Sequence, residues 1–233
     1  MKPFLRLLIA GVLLVPAVLT AASFEGKITF KISEGKGKPS EMSYSMKGDK
    51  MRMEMQGGKK GGGAMIVDGG KKEMMMLMDE EKMYMTMAVP DAAVEAAKKQ
   101  TDDSTLEKTS ETEKILGYTA TKYISTDTKA KTKTEIWLAE GLGAYMGMSQ
   151  SNSPMGGGRR GAQSPSWERL LAGKDLFPLR VVGKDKSDKE TTRMEVTAIE
   201  KQKLDDKLFV PPADYQKFDM GGMMKGMIPG FGK

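Results

Sequence analysis

The chain has 233 residues, a formal charge of +6 and 22 methionines, but neither cysteine nor histidine. Without Cys and His, it excludes Ser–His triads, Cys nucleophiles, disulfides, haem attachment and zinc sites of the usual ligand types. The positive surplus is spread along the chain and the aromatics needed for base stacking are sparse, which argues against a nucleic-acid partner.

Lys2 and Arg6 open the chain, followed by an apolar run from Leu7 to Val15 that Pro16 interrupts and then by small residues. This is the pattern of a signal peptide over residues 1–22, with cleavage between Ala22 and Phe24. The run is shorter than the ~20 apolar residues that span a bilayer. The mature protein is therefore expected to be periplasmic or secreted, and losing Lys2 and Arg6 lowers the formal charge from +6 to +4. The folded domain is expected over residues 23–218.

In "FEGKITFKIS", Phe24, Gly26, Ile28, Phe30 and Ile32 alternate with polar residues, which predicts a half-buried strand. Met42, Tyr44 and Met46 share one face of the next strand. "KGDK" reverses the chain, and Met51, Met53 and Met55 share one face of the strand that returns. "GGKKGGG" reads as a loop tip. "AMIVD", "KEMMMLM" and "KMYMTM" then read as three more short antiparallel strands, with Met83, Met85 and Met87 on one face of the last.

"PDAAVEAAKKQT" predicts a first short helix, opened by Pro90-Asp91. "EKTSETEKILGY" is polar and tightens at Gly117. "YTATKYIST" and "KTKTEIWLAE" resume the strand period, with Ile136 and Leu138 opposing Glu135 and Trp137. A Gly/Ser-rich loop is expected at 147–165. "SPSWERLLAG" predicts a second short helix, capped by Ser164, with Trp167, Leu170 and Leu171 on one face. "FPLRVVGK" and "TTRMEVTAIEKQKL" are two further strands. Leu208, Phe209 and Val210 read as a final packed strand edge that Pro211-Pro212 stops. The Gly/Met-rich segment 219–233 is expected to be a disordered tail, whose Met residues, Ile228 and Phe231 are suited to peripheral membrane contact. The expected fold class is α+β: nine or ten antiparallel strands in a strongly curved, unclosed sheet with two short helices.

"TEKILGYTATKY", "EIWLA" and "LFVPPADY", within a pattern running from Phe24 to Tyr215, resemble the bacterial domain-of-unknown-function family 4412. In that family a Cys often stands between the Gly-Tyr and Lys-Tyr pairs. Ala120 lies in that stretch here, so the resemblance carries no thiol role. The family is in turn similar to the periplasmic lipoprotein carriers of the Lol system (LolA-like). That similarity implies an unclosed antiparallel half-barrel with helices over an apolar cavity. It implies no catalytic residue.

Seven of the fourteen residues from Met74 to Met87 are methionine. Three readings follow. Methionine can simply replace Val, Ile and Leu in a core. A methionine-lined concave face can accept a lipid, acyl chain or lipoprotein, with Met42, Met46, Met51, Met53, Met55, Met83, Met85 and Met87 as the binding residues. Thioethers can also hold Cu(I). A non-enzymatic binder of an apolar ligand, with no cofactor, is the leading expectation. A periplasmic Cu(I)-binding protein and a purely structural cell-envelope protein are the alternatives. Asp79, Glu80 and Glu81 read as a solvated turn, and Arg159-Arg160 as a solubilising loop.

Overall fold

Strict alternation builds strands where the sequence shows it. A computed structural model describes residues 24–35, 37–55, 62–88, 104–143, 145, 165–171 and 174–218. The predicted first helix over 90–101, the signal segment and the tail lie outside the described residues, as does nearly all of the 147–165 loop.

Twelve strands form one sheet: β1 (Glu25–Glu34), β2 (Ser40–Lys47), β3 (Lys50–Met55), β4 (Gly63–Asp68), β5 (Glu73–Met78), β6 (Met83–Ala88), β7 (Ser104–Ile115), β8 (Tyr118–Asp127), β9 (Thr132–Ala139), β10 (Phe177–Lys184), β11 (Glu190–Lys201) and β12 (Gln216–Lys217). Their order is β12-β6-β5-β4-β3-β2-β1-β11-β10-β9-β8-β7. Neighbours are antiparallel, except that β12 runs parallel to β6. One helix, α1 (Ser166–Leu171), is present among the described residues.

Phe24, just before β1, and Gly26, Ile28 and Phe30 within it are buried, and the residues between them are half-buried. They belong to a face shared by Tyr44, Met46, Met51, Met53, Ile136, Leu138, Val181 and Val196, where Trp167 and Leu171 of α1 also pack. This is the inner face. One contiguous core drawn from strands so far apart in the sheet requires the sheet to curl. Gly143, just beyond β9, shows this directly: a Cβ there would stand 3.2 Å from Met46 Cε of β2.

The order of strands demands the same curvature. β6 and β7 lie ten strand intervals apart and run in the same direction, yet only residues 89–103 join them. A flat sheet would separate them by roughly 48 Å, with a further return along the strand axis. The connection reaches roughly 55 Å at most when fully extended. A curled sheet removes the need for such tension.

Two expectations are corrected. Leu208–Val210 is not a packed strand edge: Asp206–Phe209 is a 3-10 turn capped by the Asp205 side chain, which accepts from Lys207 N at 2.9 Å. Phe209 is buried, whereas Leu208 and Val210 are exposed. Run-on apolar character hid a turn that inserts one side chain. Second, the polar stretch before Gly117 is the twelve-residue strand β7. As an edge strand it buries little, so its sequence lacks alternation, and its charges and its register shift between Lys108 and Thr112 discourage further pairing.

After β11 the chain crosses the outer face of β1–β6 as a strap. Gln202 N donates to Glu25 O, Lys47 Nζ to Leu204 O and Arg52 Nη1 to Leu208 O. Phe209 fills a second core with Ala64, Ile66, Met75 and Leu77. Gln216 N and Phe218 N then donate to Lys82 O and Tyr84 O at 2.8 and 2.7 Å, covering part of the β6 edge.

Candidate functional site

Register decides which methionines meet. Met53, Met65, Met76 and Met85 are successive partners across β3, β4, β5 and β6. Beside this row run Met46, Met51, Val67, Met74 and Met87. On its other side, Met78 pairs with Met83 and Met42 flanks Phe30. Eleven methionines thus share the inner face of β2–β6, and among the described residues of these strands Met75 points outward, into the core under the strap.

Of the eight candidate residues, Met46, Met51, Met53 and Met85 are buried, while Met42, Met83 and Met87 are half-buried. Met55 continues β3, opposite Gly63. The sequence reading missed Met65, Met74, Met76 and Met78. Three consecutive methionines masked the alternation, although the spacing 74, 76, 78 carried it.

The hollow lies elsewhere. A cavity of about 370 Å³ opens between α1 and the other half of the sheet. Ile32 (β1), Val181 (β10), Met194 (β11), Pro165 and Trp167 give it apolar walls, with Glu34, Glu168, Thr134 and Thr192 also lining it. Among the described side chains, none of the candidate methionines lines it. Gly183 of β10 forms part of the wall beside Thr192.

Aromatic rings brace the roof. Tyr145 stacks on Trp167 at 5.6 Å and meets Phe177 edge-on at 5.7 Å. Phe30 meets Tyr44 edge-on at 4.8 Å. Tyr145 donates to Glu168 Oε1 at 3.3 Å. Burial pushes both the Tyr44 and Tyr145 phenols well above their usual range, so both stay neutral. The Tyr44 hydroxyl has no hydrogen-bond partner among the described residues.

The outer face of β7–β11 is ionic. Trp137 lies between Lys122 and Arg180, at 5.3 and 5.2 Å from the ring centre. Arg180 grips Glu113 through both nitrogens, at 2.7 and 3.2 Å, and also binds Glu195. Its hydrogen bonds to Glu113, and then to Glu195, hold the guanidinium further above its ordinary value. Among the described residues no group of three or more carboxylates converges as a metal site.

The family model described as "Domain of unknown function (DUF4412)" matches residues 24–215. A search of curated proteins returns no match. Among solved structures, an uncharacterized conserved protein from Thermus thermophilus is similar at 12% identity and TM-score 0.45, over 83% of this chain and 90% of that one. The Pseudomonas aeruginosa MucA/MucB complex contains a chain similar at 12% identity and TM-score 0.46, over 83% and 58%. A LolA superfamily protein from Nitrosomonas europaea is similar at 13% identity and TM-score 0.31, over 82% and 91%.

Proposed function

We propose, for a chain that belongs to the DUF4412 family, an exported, non-enzymatic protein that holds an apolar ligand against the inner face of its sheet. The ligand is a lipid, an acyl chain or the lipid moiety of a lipoprotein. The cavity under α1 carries this reading: about 370 Å³ between a helix and a sheet, walled by Ile32, Val181, Met194 and Trp167. That volume sits within the ~300–1,000 Å³ of small-molecule sites, which are apolar with a few polar groups. The signal-like residues 1–22 support export. The lack of His and Cys supports a binding role over catalysis.

Gly183 provides the test. A Cβ there would make only ordinary contacts, 3.5 Å to Thr192 Cβ and 3.6 Å to Thr191 Oγ1. It would project on the same side of β10 as Val181, into the cavity. Gly183→Leu should therefore fill the hollow without breaking the strand, and removing a strand glycine gains roughly 0.5–1 kcal/mol. Delipidated wild-type protein should take up a fluorescent fatty acid, and Gly183→Leu should take up at least tenfold less with an equal or higher melting temperature. No uptake by the wild type, or unchanged uptake by the variant, overturns the reading.

A further inference from the structure

We propose that the cross-strand row Met53–Met65–Met76–Met85 binds a soft monovalent metal ion, Cu(I) or Ag(I), through thioether sulfur. The inference is independent of the apolar-ligand reading, because it concerns the other half of the sheet.

The molecule supplies its own control. On the inner face of β8–β11 the core is Ile136, Leu138, Leu179, Val181 and Val196, with Met194 the methionine among them. On the outer face of β4 and β5 it is Ala64, Ile66 and Leu77, with Met75. Branched aliphatics are the better strand formers, and the same chain uses them wherever it needs only a core. Among the described residues the enrichment in methionine is concentrated on one face of five adjacent strands. A bias acting throughout the sheet would have spread it over both faces and both halves.

Burial separates a metal from a greasy ligand. Met53, Met65 and Met85 are 4%, 2% and 3% exposed, and Met76 is half-buried. Three of the four side chains are already packed, and the hollow of suitable size lies under α1. A single ion needs no such volume. Partners directly across a sheet have Cβ atoms ~4.5–5.5 Å apart, and the three flexible torsions of methionine let the sulfurs of two or three adjacent members of the row converge on one point. Neutral thioethers without imidazole or thiolate select Cu(I)-like ions over Zn(II), Mg(II) or Ca(II).

Ag(I) is a probe that resists redox change. The full chain, labelled with 13C at the methionine methyls, should show the methyls of adjacent row members shifting together on addition of one equivalent, while Met75 and Met194 stay in place. The double variant Met65→Leu/Met76→Leu, which keeps the layer apolar and nearly equal in volume, should bind Ag(I) at least tenfold more weakly. Its uptake of a fluorescent fatty acid should be unchanged, so failure of this site and failure of the cavity reading are separable. Shifts confined to other methionines, such as those in residues 219–233, or undiminished binding by the double variant, would overturn the proposal. The titration of labelled wild-type protein decides the matter even where the double variant does not fold.

Discussion

Single residues show where backbone geometry leaves no choice. Gly26 has φ +158°, and a Cβ there would collide with the Glu200 carbonyl across the β1–β11 pairing. That oxygen is held by the sheet and cannot swing aside. Gly26→Ala should therefore cost about 2 kcal/mol or more, read as a lower urea midpoint with an unchanged slope. The sequence placed Gly26 correctly on the inward register of its strand, but its close approach to Glu200 could not be read, because β11 lies far away in the chain. The inward methionines of β2, β3 and β6 were legible for the opposite reason: strict alternation is local. Met74 and Met76 were obscured by Met75, a neighbour serving a different core.

At the scale of elements, the strap was the least legible part. "LFVPPADY" looks like a strand and its stop, yet its packing partner, the outer face of β4 and β5, lies well over a hundred residues upstream. Phe209 is the anchor. Phe209→Ala should destabilise by about 3–4 kcal/mol, the range for deleting a buried ring, in a denaturant titration. The rest of the strap is held by exposed ion pairs: Lys47 with Asp206 at 3.0 Å, and Lys82 with Asp214 at 2.8 Å. Hydrogen bonds from the two lysines hold the Asp206 and Asp214 carboxyls below the usual range. A carboxyl depressed in the fold contributes fully above its unfolded pKa of ~3.9 and loses that contribution as pH falls through its lower folded value. The strap should therefore loosen below about pH 4. Amide NMR signals of Gln216 and Phe218 should move together with the titration of these two carboxyls, whereas those of β1 and β11 should not. At the alkaline end, the bond from Tyr215 to Asp79, 2.7 Å long, pushes that phenol up to about 12. Its contribution is complete below pH ~10 and fades as pH rises through the higher folded value.

Across the whole molecule, the single antiparallel sheet was legible because turn signals recur between short alternating runs. Its strand order was not, since nothing local says that β1 should pair with β11. That order places β1–β6 on one side of the β1–β11 seam and β7–β11 on the other. Each side is continuous in sequence and antiparallel within itself. Nine residue pairs in register join them along the seam, and the strap from the second side binds across the first. The covalent joint at 89–103 is therefore not what keeps the two together at equilibrium. Protein cut at an engineered protease site in that joint should elute at the size of the intact chain with unchanged circular dichroism. Separation of the fragments in native buffer would contradict this. Refolding of the intact chain is unimolecular, because the joint holds each half at high effective concentration near the other. Refolding of the cut protein should instead become second order, its rate rising with concentration, so that the joint acts as a kinetic tether for two complementary half-shells.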